Sequence, residues 1–97
     1  MVQEIAEITA MTGREAELEA GLRRGLEVIR RAAGCHSAQL LRCVEEHGRF
    51  VLMIEWATLE DHTVRFRGGP LFAEYRSHIN GVFVEPVVAR HYTIVDQ

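Results

Sequence analysis

A single α+β domain built on one antiparallel sheet is predicted by three observations. The elements alternate as strand, helix, strand, strand, helix, strand; a leucine stripe at helical spacing fills the first third; and the later strands are unusually dense in apolar residues. The 97 residues suffice for one core but not for two, so residues 1–97 are read as one domain. Hydrophobic residues make up 47% and charged residues 26%, an ordinary globular balance that excludes a disordered chain.

The first strand, Val2 to Met11, is partly β-branched and roughly alternating. Thr12-Gly13-Arg14-Glu15 fits a capping box, in which the Thr12 oxygen accepts from the third helical N–H and Glu15 reaches back to the Thr12 N–H. Behind it Leu18, Leu22, Leu26 and Ile29 recur at helical spacing, with Gly25 as a close-packing point on the same side. Gly34 stops this helix, because glycine tolerates a left-handed cap.

Cys35 to Glu46 forms the second strand and His47-Gly48 a tight hairpin turn. Phe50 to Ala57 (FVLMIEWA) is apolar on both strand faces apart from Glu55, the pattern of a strand covered on both sides. Thr58-Leu59-Glu60-Asp61 caps a second helix, with the Asp61 carboxylate at its positive end. That helix runs to about Arg67, breaks at Gly68-Gly69-Pro70, and resumes from Leu71 to Ile79 before Asn80-Gly81. Val82 to Val95 is predicted as a long final strand, apolar on both faces, with Pro86 marking an edge or a bulge because it cannot donate to a ladder.

This βαββαβ order is the split-βαβ, ferredoxin-like plan, with both helices on one face of the sheet. Phe50, Leu52 and Ile54 then point to one face, and Val51 and Met53 to the other. Leaving the second face bare would expose more than the roughly few hundred Å² of apolar patch that monomers tolerate. A second copy is the simplest cover, so a homodimer is expected.

Charge and cysteine content narrow the partners. The net charge is −3 and the eleven basic residues are all arginine. The cluster Arg23, Arg24, Arg30 and Arg31 is interleaved with Glu19 and Glu27, a solvated helix face rather than a nucleic-acid surface. Cys35 and Cys43, read in one strand, would stand about 26 Å apart, beyond any disulfide. The N-terminal MVQEIAEITA carries acids where a secretion signal needs bases, and no apolar run is long enough to span a membrane; a cytoplasmic location with no membrane partner is expected. The five histidines, at 36, 47, 62, 78 and 91, show no metal-ligand spacing, so no metal is expected.

The stretch Phe50–Tyr75, FVLMIEWATLEDHTVRFRGGPLFAEY, resembles the antibiotic biosynthesis monooxygenase family. The resemblance is carried by an apolar strand ending in Trp56, the acidic helix start Glu60-Asp61, a phenylalanine-rich helix, and Pro70 followed by Phe72. Gly13 with Glu15, and the pair Gly34-Cys35, extend it over nearly the whole chain. The resemblance implies a dimeric α/β barrel with a pocket between helices and sheet in each subunit. It also implies oxidation of an electron-rich aromatic or quinol by molecular oxygen, with no metal or flavin. Such an enzyme must position its substrate, stabilise the anion and keep the pocket dry.

Carried over residue by residue, the pocket tryptophan of the actinorhodin-pathway type matches Trp56, and its substrate-binding arginine, six residues after the helix-breaking proline, matches Arg76. His62 stands where that type has a tyrosine, and Leu52 where it has an asparagine. The candidate catalytic residues are therefore Trp56 as pocket wall, His62 as base and Arg76 as anion stabiliser. Leu52, Phe66, Phe72, Tyr75 and His78 are the expected substrate contacts, with His36 and Gln39 as weaker candidates. With an ordinary pKa near 6.5, His62 is expected to take a phenolic proton at neutral pH.

Two other classes stay open on the same pocket: a non-catalytic small-molecule binding protein, and an isomerase-type enzyme acting on a short carbonyl metabolite. A haem-degrading branch of the fold uses a first-strand asparagine and a second-helix tryptophan. Here Val64-Arg65-Phe66 falls at the second position and no asparagine at the first, although His78 could stand for the axial histidine.

Overall fold

The computed structural model describes residues 1–97. Its elements are β1 (Val2–Thr9), α1 (Glu15–Arg30), β2 (Cys35–Arg42), β3 (Arg49–Trp56), a π-helix (Asp61–Phe66), α2 (Pro70–Ser77) and β4 (Val88–Tyr92). The sheet order is β2-β3-β1-β4 and every pairing is antiparallel. This is the expected ferredoxin-like α+β arrangement, with the helices on one face.

Strand alternation sets which side chains meet the helices. On β3, Phe50, Leu52, Ile54 and Trp56 are all buried while Arg49, Val51, Met53 and Glu55 are only half-buried. Register puts Glu4, Ala6 and Ile8 of β1 opposite Ile54, Leu52 and Phe50, on the same inner face. From above, α1 contributes Leu18, Leu22, Leu26, Val28 and Ile29, so the leucine stripe faces the core as predicted. Gly21 lets α1 approach the end of α2: a Cβ there would lie 2.2 Å from the backbone oxygen of His78.

The outer sheet face is mixed. Ile5, Leu41, Val51, Met53, Val88 and Tyr92 lie on it among Gln3, Ser37, Gln39 and Glu55. The apolar character read for both faces of β3 is therefore present, diluted by polar neighbours.

Four local expectations are corrected. The Thr12 capping box does not form: the helix starts three residues later, its cap residue Arg14 makes no side-chain cap bond, and Glu15 accepts instead from the Gly13 N–H at 3.1 Å. Gly13 takes a left-handed turn (φ 85°) that carries Thr12 away from the helix end. The reciprocal box forms at the second helix instead, where the Asp61 N–H donates to Thr58 Oγ1 at 3.1 Å and the Thr58 N–H to Asp61 Oδ2 at 3.2 Å. α1 ends at Arg30 with a right-handed cap, and Gly34 (φ 85°) serves the following turn, where a Cβ would collide with Asp61.

The β2–β3 connection is wider than a two-residue turn. It runs from Cys43 to Gly48 and is closed by the Cys43 N–H donating to the Arg49 carbonyl at 2.9 Å, so Cys43 lies just beyond β2. Both cysteines are free thiols. The long final strand shrinks to Val88–Tyr92: Val82 and Phe83 turn into the core, with Phe83 bridging Ala10, and Pro86 stands in the link before β4. A residue without an N–H cannot extend the ladder, so the chain joins β1 again only after it. No helix is long and apolar enough to cross a membrane.

Candidate functional site

Between the inner sheet face and the second helical region lies a cavity of about 440 Å³, within the roughly 300–1,000 Å³ range of small-molecule sites. Glu4 and Ala6 of β1, Leu52 and Ile54 of β3, and Ala89 of β4 contribute from the sheet. His62 and Phe66 come from the π-helix, Phe72, Tyr75 and Arg76 from α2, and Arg67 from the connection between them. Ile29 of α1 and Glu85, Pro86 and Val87 complete the lining.

The π-helix decides which residues face inward. Its wide turns bury Asp61, His62 and Phe66 while Val64 and Arg65 stay outside, and such turns recur at functional sites. Phe66 packs edge-on to Phe72 with ring centroids 5.7 Å apart, and Tyr75 lies 6.3 Å from Phe66. Together these three rings form an aromatic wall.

One polar chain crosses this apolar setting. Trp56 Nε1 donates to Glu4 Oε1 at 2.9 Å, and His62 Nε2 stands 3.4 Å from the same oxygen. His62 Nδ1 faces His91 Nε2 at 2.6 Å. The His62 ring also stacks on Trp56, with centroids 5.2 Å apart and planes 15° off parallel. Trp56, His62 and Glu4 are 0%, 3% and 5% exposed. His91, half-buried on β4, pairs with Glu4 across the sheet.

Burial governs the electrostatics, since it penalises charged forms. The Glu4 carboxyl is pushed above the usual carboxylate range by desolvation, against the opposing Trp56 hydrogen bond and the Arg67 charge. His62 is pushed down to about 4, first by burial, then by the Arg67 charge and by His91. His91 is lowered by burial and Arg67. Tyr75 is raised, mainly by burial and then by Glu4. At neutral pH the His62 imidazole is neutral and a weaker base than free histidine.

Of the sequence-predicted residues, His62, Arg76, Leu52, Phe66, Phe72 and Tyr75 all converge on the cavity. Arg76 sits over the Phe83 ring at 4.9 Å and the Phe72 ring at 5.6 Å, with a 3.3 Å contact to Glu85. Trp56 does not form a wall as expected; it lies wholly buried behind His62. His78 does not line the cavity, because it is the C-cap of α2, where its carbonyl faces Gly21 of α1. His36 is exposed, and Gln39 lies on the outer sheet face. No group of three or more His, Cys, Asp or Glu side chains is placed to hold a metal ion.

Glu4, Arg67 and His91 are the site residues that sequence reasoning missed. Glu4 was findable: it shares a strand face with Val2, Ala6 and Ile8, a lone carboxylate in an apolar register. Arg67 makes no ion pair yet lines the cavity and acts on Glu4, His62 and His91 by its charge. Nothing local marked it, or His91. A second depression of about 640 Å³, between α1 and β2, is lined by residues such as Glu19, Arg42, Glu27 and Arg30 that already neutralise one another on the surface.

The family model described as antibiotic biosynthesis monooxygenase matches residues 1–77. YczJ of Bacillus subtilis, an uncharacterized protein, is 32% identical over 92 residues, 95% of this chain and 97% of that protein. A Bordetella bronchiseptica crystal structure carrying the same family name is 38% identical, with a TM-score of 0.90 over 97% of this chain and 96% of that one. The structure of SnoaB, a cofactor-independent oxygenase from Streptomyces nogalater, aligns with a TM-score of 0.83 at 19% identity, over 99% of this chain and 94% of its own. The likeness to SnoaB is one of fold.

Proposed function

The chain belongs to the antibiotic biosynthesis monooxygenase family, and from that premise we propose that it is a small cofactor-independent monooxygenase acting on an electron-rich aromatic or quinol-type molecule. The observation that carries this reading is the aromatic-walled cavity into which one buried carboxylate–histidine chain reaches, with arginines contributing to the same lining.

Without a metal or flavin, the substrate itself must supply the electrons. Deprotonation of a phenol or enol turns the ring into an electron-rich anion that reacts with O2. In the overall balance a ring CH2 becomes C=O, one oxygen atom enters the product and the other leaves as water. The protein has three tasks. Leu52, Phe66, Phe72 and Tyr75 hold the ring and exclude water, which strengthens every electrostatic contact inside. Arg76, with Arg67, offers positive charge to the developing anion. The Glu4–His62 pair supplies the proton acceptor at the sheet side of the cavity.

A homodimer is part of the proposal. Ile5, Val51, Met53 and Leu41 make an apolar region on the outer sheet face, which a second sheet would cover.

The test is oxygen consumption by the purified, metal-stripped protein with a panel of hydroxylated naphthalenes, anthrones and quinols. Catalytic uptake that yields one oxidised product and persists with chelator supports the reading. Tight binding of these compounds with no oxygen uptake replaces it with a binding protein. Turnover of a carbonyl compound without oxygen replaces it with an isomerase-type enzyme.

A further inference from the structure

We propose that Glu4, and not His62, takes the proton from a phenolic ligand in this cavity, with His62 as the positioning residue that holds the carboxylate in place. The inference rests on the cavity being an aromatic site, and it names the atom that begins its chemistry.

Geometry separates the two candidates. Both ring nitrogens of His62 are already engaged, Nδ1 with His91 Nε2 at 2.6 Å and Nε2 with Glu4 Oε1 at 3.4 Å, and one ring face is covered by Trp56. Each nitrogen of that imidazole thus already faces a polar atom of the protein. Glu4 differs. Its Oε1 receives the Trp56 N–H at 2.9 Å and faces His62, while Oε2 makes no hydrogen bond to the protein although the residue lines the cavity. The carboxylate is thus held by one oxygen and offers the other.

The surroundings agree with the assignment. Burial raises the Glu4 carboxyl and lowers His62, which makes the carboxylate a stronger base and the imidazole a weaker one than each is in water. The charged and titratable groups around Glu4 are His62, His91, Arg67, Arg76, Tyr75, Glu85 across the cavity and Cys35, on which the Glu4 charge acts.

The step is a plain proton transfer. The ligand O–H bond breaks and its electron pair stays on the phenolate oxygen. A new O–H bond forms at Glu4 Oε2, and the neutral acid can then donate back to the phenolate. The negative charge passes from the protein to the ligand, where Arg67 and Arg76 meet it.

The experiment uses 4-nitrophenol, whose phenolate is coloured, bound to the intact protein at a pH below the probe's own pKa. The wild type is expected to show the phenolate band of the bound probe. Glu4→Gln, which can still accept the Trp56 N–H, is expected to bind the probe as neutral phenol, and Glu4→Asp to recover the band at least in part. His62→Asn is expected to keep the band with weaker binding. The emission of Trp56, the sole tryptophan, checks that each variant is folded; should Glu4→Gln fail that check, Glu4→Asp against His62→Asn decides. A band that survives in Glu4→Gln, or one abolished in His62→Asn and unchanged in wild type, overturns the assignment. So does a wild type that binds the probe only as neutral phenol. A protein that consumes oxygen yet never ionises the probe sinks this assignment alone; one that ionises the probe yet consumes no oxygen with any substrate sinks the monooxygenase reading alone.

Discussion

Two of the buried ionisable residues in the cavity, His62 and Glu4, each carry a stability signature of their own. His62 is held neutral, with its pKa lowered from 6.5 to about 4. Between those values the unfolded chain binds a proton that the folded chain refuses, so stability falls as the pH drops from about 6.5 toward 4. After allowance for partial solvent screening the loss is about 1–2 kcal/mol. Glu4 works in the opposite sense: its raised pKa lets the folded chain keep a proton the unfolded one releases, which favours the fold as pH falls. A comparison of wild type with His62→Asn isolates the histidine. Urea midpoints at pH 7 and pH 4.5 should converge, with wild type losing more on acidification; parallel losses would contradict the buried neutral imidazole. At this scale the sequence was half legible. His62 and Arg76 stood at motif positions that could be matched, whereas Arg67 and His91 became site residues only through register and a turn.

Caps and close approaches decide the elements. Thr58 and Asp61 exchange hydrogen bonds at the start of the second helical region, and Thr12 makes no such bond to α1. Thr58→Ala should therefore cost about 1 kcal/mol, and Thr12→Ala close to nothing, as read from thermal midpoints. The same sequence pattern occurs at both sites; Gly13, in its left-handed turn, is what separates them. Gly21→Ala should be the more damaging change. A methyl there meets the His78 backbone oxygen at 2.2 Å, and overpacking of this kind costs about 1–3 kcal/mol. It also pushes α2, and with it Phe72, Tyr75 and Arg76, away from α1, so ligand affinity should fall together with stability.

For the whole molecule, the outer sheet face is the surface that the helices leave uncovered. The mixed face around Met53 and Ile5 is predicted to meet its copy in a second chain. Sedimentation of wild type should give twice the chain mass of 11.0 kDa, and Met53→Arg, at a position that is only half-buried in the single chain, should give one chain mass without unfolding. A wild type that sediments as a single chain at high concentration removes the dimer from the proposal.

By itself the sequence determined the element order, the core-facing stripe of α1, the buried face of β3 and the cap at Thr58, because each follows from periodicity or from hydrogen bonds within a few residues. The tertiary structure alone decided that Trp56 stands behind the cavity instead of lining it, that His78 points elsewhere, and that Glu4, His62 and His91 form one chain. Those facts depend on strand register and on the wide turns of the π-helix, which join residues as far apart as Glu4 and His91. No local pattern encodes such a meeting.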